Sequence, residues 1–235
     1  MSHVTPPVSG ESHTPGFLFV GEIMGDRAVV FIDGNNWYHH LKEAGVQNTF
    51  SLDYKKISEK LLGPRIWVAT RFYIGQVDVR QGAQVYADSR RFLDGLAKTD
   101  PRISVHLGRL ERRTEVNEAA KEILRYVHGL SMQINAQVFS QLVAFVKKHE
   151  RTQFWVEKAV DVNLAIDMVT MAISDNYDAA YLLSADGDFT KAVEFVRSRG
   201  KKVYAVSPGQ GAQLAAAVNT FIHIPGSWVS DCYKT

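Results

Sequence analysis

The chain has 235 residues, 46% hydrophobic and 22% charged, which fits one folded α/β domain with an addition and excludes a largely disordered protein. A net charge of +2 does not by itself mark a nucleic-acid binder, and a single cysteine, Cys232, excludes an internal disulfide framework and suits a reducing cytoplasm. No apolar run approaches the roughly 20 residues of a membrane-spanning helix, and no signal-peptide pattern is seen, so a cytoplasmic protein with no membrane partner is expected.

Residues 1–26 read as a tail rich in Ser, Thr, Pro and His, interrupted by the apolar Phe17-Leu18-Phe19-Val20. From Ala28 the pattern alternates as βαβ units do. A strand to Asp33 is followed by a helix from Asn36 to Ala44, a second helix from Tyr54 to Leu62, and a β-rich run from Arg65 to Ile74. A helix within Gln81 to Lys98 and a strand at Ile103 to Leu107 come next. Over about 111–154 the alternation stops, and two helical stretches, Val116 to Val127 and Ala136 to Lys148, form a helical insertion. Alternation resumes with a helix from Asp161 to Ser174, a strand from Ala179 to Ser184, a helix from Phe189 to Arg199, a strand from Lys202 to Val206, and a last element near Thr220 to Ile224. The expectation is one α/β domain over 27–225, with a mostly parallel sheet of five or six strands, and a short tail over 226–235.

Carboxylates stand where these strands end: Asp33 after the first, and Asp186 and Asp188 after Ala179 to Ser184. In an open parallel sheet all the carboxyl ends share one edge, so acids distant in sequence converge there. Asp161 falls at the start of a helix whose Val162, Leu164, Ala165, Ile166, Met168, Val169, Ala172 and Ile173 share a broad apolar face. Aimed inward, it should cap the helix, pair with Lys158 or hold a metal. Asp167 shares the polar arc with Asn163, Thr170 and Ser174 and is expected to face water. Any one of these acids also suits a turn or a helix cap, as Asp188 would before Phe189. Their coincidence is what points to a cation, because repelling acids are tolerated together mainly when one offsets them. With no zinc-like Cys or His spacing nearby, Mg²⁺ or Mn²⁺ fits the oxygen donors. Ser184 is positioned to orient a metal-bound water, or to serve as a turn hydroxyl.

These residues resemble the NYN domains of the LabA-like group, within the PIN-like nuclease superfamily. Phe31-Ile32-Asp33-Gly34-Asn35-Asn36 is similar to the family's opening motif, Lys158-Ala159-Val160-Asp161 through Asp167 to its Lys-Gly-Val-Asp helix start, and Leu183-Ser184-Ala185-Asp186-Gly187-Asp188-Phe189 to its Ser-x-Asp-x-Asp-Phe block. The resemblance implies a PIN-like, Rossmannoid three-layer sandwich and metal-dependent, endonucleolytic cleavage of RNA. It implies Asp33, Asp161, Asp186 and Asp188 as the ligand set, Asn36 in support, and Asp167 as a second-rank acid. Ala159 stands where the family usually has Gly, and Asn219 where an acid commonly precedes the last strand. The insertion is unusually long and offers either a gate over the active edge or a homodimer contact.

For RNA contact the candidates are Lys158 and Lys191, next to proposed ligands, and Trp37 and Tyr38, whose rings suit stacking on unpaired bases. Core packing is the alternative for both aromatics. His39 and His40 read as surface residues of the first helix or as proton carriers. Two other classes compete. A haloacid-dehalogenase-like phosphatase would need a second Asp where Asn35 stands. A non-catalytic RNA-binding or assembly module would keep the fold and use the insertion to recruit a partner.

Overall fold

The computed structural model describes residues 25–77 and 79–234. The Phe17–Val20 segment and all but the end of the N-terminal tail lie outside them. A seven-stranded sheet is built from β1 (Arg27–Asp33), β2 (Ile66–Gly75), β3 (Ile103–Val116), β4 (Arg151–Lys158), β5 (Ala179–Leu183), β6 (Lys202–Ser207) and β7 (Thr220–His223), in the order β4-β3-β2-β1-β5-β6-β7. Every pairing is parallel except that of β4 with β3. Six parallel strands thus form the central sheet.

Two helical layers cover it. On one face α1 (Gly34–Glu43), α2 (Tyr54–Leu62) and α3 (Ala83–Thr99) pack on Ala28, Val30 and Ile32 of β1. On the other, α6 (Val160–Ile173), α7 (Thr190–Ser198) and α8 (Ala212–Ala217) pack on Val29 and Phe31. The alternation follows from the pleat, which sends successive side chains to opposite faces. β1 is buried on both, so it reads as a continuous apolar run, as a central parallel strand should. The arrangement is an α/β three-layer sandwich, as the sequence leads one to expect.

Local signals explain the boundaries. α2 begins where the Asp53 carboxylate accepts hydrogen bonds from the Lys55 and Lys56 N–H groups, and it ends at Gly63, whose φ of 56° lies in the region that favours glycine. Its inner face is Tyr54, Ile57, Ser58 and Leu62.

The segment read as wholly helical is different. β3 runs on past the sheet, and its Arg109–Val116 stretch pairs antiparallel with Arg151–Lys158 of β4. The two expected helices, α4 (Glu118–Gly129) and α5 (Ala136–His149), sit at the far end of this ribbon. The strand at its base carries Glu111, Arg112, Arg113, Thr114 and Glu115, which give no apolar alternation to betray it. The β-rich Thr152-Gln153-Phe154-Trp155-Val156 was the available signal. The short α8 was also not anticipated, since fewer than two turns cannot establish a helical period.

Ala159, the residue before α6, adopts φ 70° and ψ 2°. This left-handed backbone costs a side-chain-bearing residue about 1–2 kcal/mol. It explains why glycine suits the position, and why Ala159 is a strained choice. Ala159→Gly should therefore stabilise the protein by about 1 kcal/mol, less the extra chain entropy of glycine. Thermal unfolding should show a melting temperature higher by roughly 2–4 °C.

Candidate functional site

The strand order reverses between β1 and β5, and a crevice opens beyond their carboxyl ends, as at the switch point of doubly wound folds. A cleft of about 230 Å³ lies there, lined by Asp33, Asn35, Asn36, Ala159, Val160, Asp161 and Asp186. Three of the expected acids thus meet in one cleft, delivered by β1, the start of α6 and the turn after β5.

Asp33 is the deepest, 3% exposed at the end of the buried central strand. One carboxylate oxygen accepts from the Asn36 N–H at 3.2 Å, capping α1, and the other from the Ser184 hydroxyl at 3.1 Å. Ser184 Oγ in turn accepts from the Asp186 N–H at 3.1 Å, while the Asn36 side-chain oxygen accepts from the Ala185 N–H at 2.9 Å. Asn36 and Ser184 are therefore straps that tie the end of β1 to the end of β5. Ser184 is fully buried, and its two hydrogen bonds are those of a turn hydroxyl.

Asp186 caps a short 3₁₀ turn by accepting from the Asp188 N–H at 2.9 Å. Asp188 itself caps nothing, since α7 starts without a side-chain cap. That removes the cap explanation for Asp188, which is exposed beyond the cleft lining. Asp161 also differs from its expectation. The buried stripe of α6 is Val160, Leu164, Met168 and Ala172, so Asp161 opens outward to the cleft instead of pointing into the core. α6 is apolar almost all round, with Val162, Ile166 and Ile173 exposed, and such a helix does not fix its own phase. Asp161 neither caps α6 nor pairs with Lys158, which lies 3.6 Å from Glu111.

Charge at the two edges of the sheet contrasts sharply. At the amino edge Asp178 and Asp175 are paired with Arg27 and Lys201, and hydrogen bonds from these bases hold both carboxyls below the ordinary range. At the carboxyl edge no base among the described residues pairs with Asp33 or Asp161. Burial, then the charges of Asp161 and Asp186, push Asp33 up to about 6 against the hydrogen bonds from Asn36 and Ser184. Asp161 is raised by desolvation and by Asp186 and Asp188. Such a cluster is a site where added positive charge lowers the energy.

The donor set suits a hard divalent ion, because all its side-chain donors are oxygens. Among the described residues, no three His, Cys, Asp or Glu side chains already close around one point. Mg²⁺, which keeps several of its waters, does not require that they do.

The remaining candidates lie elsewhere. Asp167 is half-buried and not on a water-facing arc: Arg71 Nη2 and the Tyr73 hydroxyl each donate to it at 2.7 Å. Partial burial alone would raise it, but these bonds and the Arg71 charge hold it below its ordinary value. It is a pairing partner for β2, outside the cleft lining. Trp37 is fully buried in the core on α1, which corrects its candidacy for stacking. Tyr38 is half-buried, with Lys42 Nζ 5.2 Å from its ring centre. Lys191 points outward and pairs with Glu194 at 2.8 Å, while His40 pairs with Glu43 at 3.0 Å and His39 is exposed. Asn219 joins β6 and β7 at the amino edge, its side-chain oxygen accepting from the Val203 N–H, so its departure from the family pattern does not touch the cleft. Asn35, weighed only against a phosphatase motif, lines the cleft; its place beside Asn36 in the first motif was the signal.

The NYN domain family matches residues 27–225. The chain belongs to this family. The match embraces the ribbon and hairpin as well as the acid-bearing segments. Among solved structures, a protein of unknown function from Vibrio parahaemolyticus aligns at 17% identity and TM-score 0.47, over 86% of this chain and 94% of that one. A structure from work on the mechanism and regulation of Sir2 enzymes aligns at 9% identity and TM-score 0.37, over 88% and 90%. Both scores fall below 0.5 and carry no functional weight. No curated protein matches the chain.

The raised Asp33 carboxyl makes a testable statement about stability. An acid whose folded value of about 6 exceeds its unfolded value of about 3.8 destabilises the fold increasingly as pH rises through that window. In chelator, the stability of Asp33→Asn relative to the parent should therefore rise by about 2 kcal/mol from pH 4.5 to 7.5. Urea unfolding at the two pH values measures it, and a difference independent of pH would contradict the account.

Proposed function

We propose that this NYN-domain protein is a metal-dependent ribonuclease that hydrolyses RNA phosphodiesters, most simply as an endonuclease in the cytoplasm. NYN domains are generally nucleases, which supports the class. The observation that carries the reading is the convergence of Asp33, Asp161 and Asp186 in one cleft, with no basic partner among the described residues and with Asp33 raised.

In this reading Asp33, Asp161, Asp186 and Asp188 would hold Mg²⁺ or Mn²⁺, which would acidify water and offset phosphate charge. The chain's own contribution is to hold the acids in place. Ser184 and Asn36 fix the Asp33 carboxylate, and the Asp188 N–H fixes that of Asp186. Asp167 steadies β2 from outside the cleft. Lys158, half-exposed at the end of β4 and 3.6 Å from Glu111, precedes the cleft-lining Ala159, and in this reading it exchanges that partner for a phosphate. Lys191 is set farther out.

One observation favours the non-catalytic reading, in which the fold binds RNA or a protein without cutting: the described acids do not form a closed three-ligand set. The two readings separate in one assay. Purified protein should cut single-stranded or hairpin RNA in Mn²⁺ or Mg²⁺ but not in EDTA. Loss of outer-shell partners alone costs metal sites about 10–100-fold, so Asp33→Asn with Asp186→Asn should lower the rate by more than about a hundredfold. Cleavage that persists in this double variant sinks the proposed site.

A homodimer through the insertion is part of the same proposal. No helix among the described residues is long and apolar enough to cross a membrane, yet the α4–α5 hairpin leaves Ile123, Tyr126 and Phe145 exposed. Light scattering should give twice the chain mass, and Tyr126→Asp with Phe145→Asp should halve it.

A further inference from the structure

A second cleft, of about 320 Å³, opens on the α1–α3 side and shares Asn35 with the acid cleft. Its size lies within the range of about 300–1,000 Å³ usual for ligand sites. Rings dominate its walls: Tyr38, Phe50, Tyr54, Phe72 and Phe92. They fall into two groups. Tyr54, Phe72 and Phe92 lock one another edge to face, with ring centres 5.0–6.2 Å apart, and belong to the core. Phe50 and Tyr38 stand at the rim, 5.7 Å apart and tilted by only 32°.

Core packing accounts for the floor and not for the rim. Phe50 is 56% exposed although the Tyr38 and Phe92 rings flank it, and Val85, which also lines the pocket, is exposed too. An exposed aromatic at the mouth of an apolar hollow leaves a face free for a planar guest. The polar groups around it suit the edge of a heterocycle. Thr49 and Ser89 bring hydroxyls, and the Asp88 carboxylate is held by hydrogen bonds from Gln84 and Arg91. Lys42 over the Tyr38 ring places positive charge on the same rim.

The connection between the clefts is tight. A Cβ on Gly34 would lie 2.8 Å from both the Phe72 ring and the Tyr73 carbonyl oxygen, so the residue after Asp33 must be glycine for the pocket floor to sit against the acid motif. Asn35 lines both clefts, so they adjoin at the residue between Gly34 and Asn36.

We propose that this aromatic pocket is a nucleobase subsite, holding one unpaired base of the RNA by stacking on Phe50 and Tyr38. The position of the strand rests on the ribonuclease reading; the capture of a base does not. Stacking on an aromatic side chain contributes about 1–3 kcal/mol per base, and every base has a face to offer.

The test is fluorescence anisotropy in EDTA, comparing a labelled single-stranded RNA 12-mer with an abasic ribose-phosphate strand of equal length. The parent should bind the RNA more tightly. Phe50→Ala should weaken RNA binding by about tenfold, leave the abasic strand unaffected and keep the melting temperature, while Phe50→Trp should retain binding. Equal loss for both strands, no loss for either, or no binding of RNA by the parent overturns the subsite. Metal-dependent cleavage with RNA affinity indifferent to Phe50→Ala would remove the subsite and leave the nuclease. A base-dependent affinity lost in Phe50→Ala, in a protein that cuts nothing, would do the reverse.

Discussion

The constraint on which the acid cleft depends is the reversal of strand order beside β1. A parallel sheet wound outward in both directions from its central strand leaves a gap where the crossovers diverge, and the residues at that gap come from distant parts of the chain. β1 must be central, and so buried on both faces. Asp33 ends a strand that is otherwise apolar, in a position that no water-facing acid would occupy. The hydrogen bonds from Asn36 and Ser184 make that burial bearable, and they do so by joining the two strands that flank the gap. The motif that fixes the sheet's centre is thus also the one that builds the cleft.

Electrostatics then divides the molecule. Acids at the amino edge are matched by Arg27 and Lys201, and their ionised forms are favoured. At the carboxyl edge the ionised forms of Asp33 and Asp161 are disfavoured, and among the described residues no base pairs with either.

Much of this was legible in the sequence, and the failures have particular causes. β1, α2, β5 and β6 announce themselves by apolar runs and caps, because their neighbours in space are their neighbours in pattern. The acids at strand ends were readable for the same reason. The β3–β4 ribbon was hidden because its charged residues face water on both sides, so no alternation marks it. The phase of α6 misled because the helix is apolar nearly all round, and only its packing on β1 and β2 decides that Asp167 turns inward and Asp161 toward the cleft. Trp37 and Tyr38 are adjacent and equally aromatic; which one is buried depends on α1's rotation against the sheet. The aromatic pocket gathers α1, β2, α3 and a turn, so no single stretch of sequence contains it.

The ribbon has a mechanical meaning. β3 passes without a break from the sheet into the arm, and at Gly108 it runs so close under the β4–α6 junction that a Cβ there would lie 2.8 Å from the Lys158 carbonyl oxygen. β4 returns along it and ends two residues before α6, the helix that presents Asp161. One ribbon therefore joins the hairpin to the helix that presents Asp161, and a side chain at position 108 would force its strands apart at that junction.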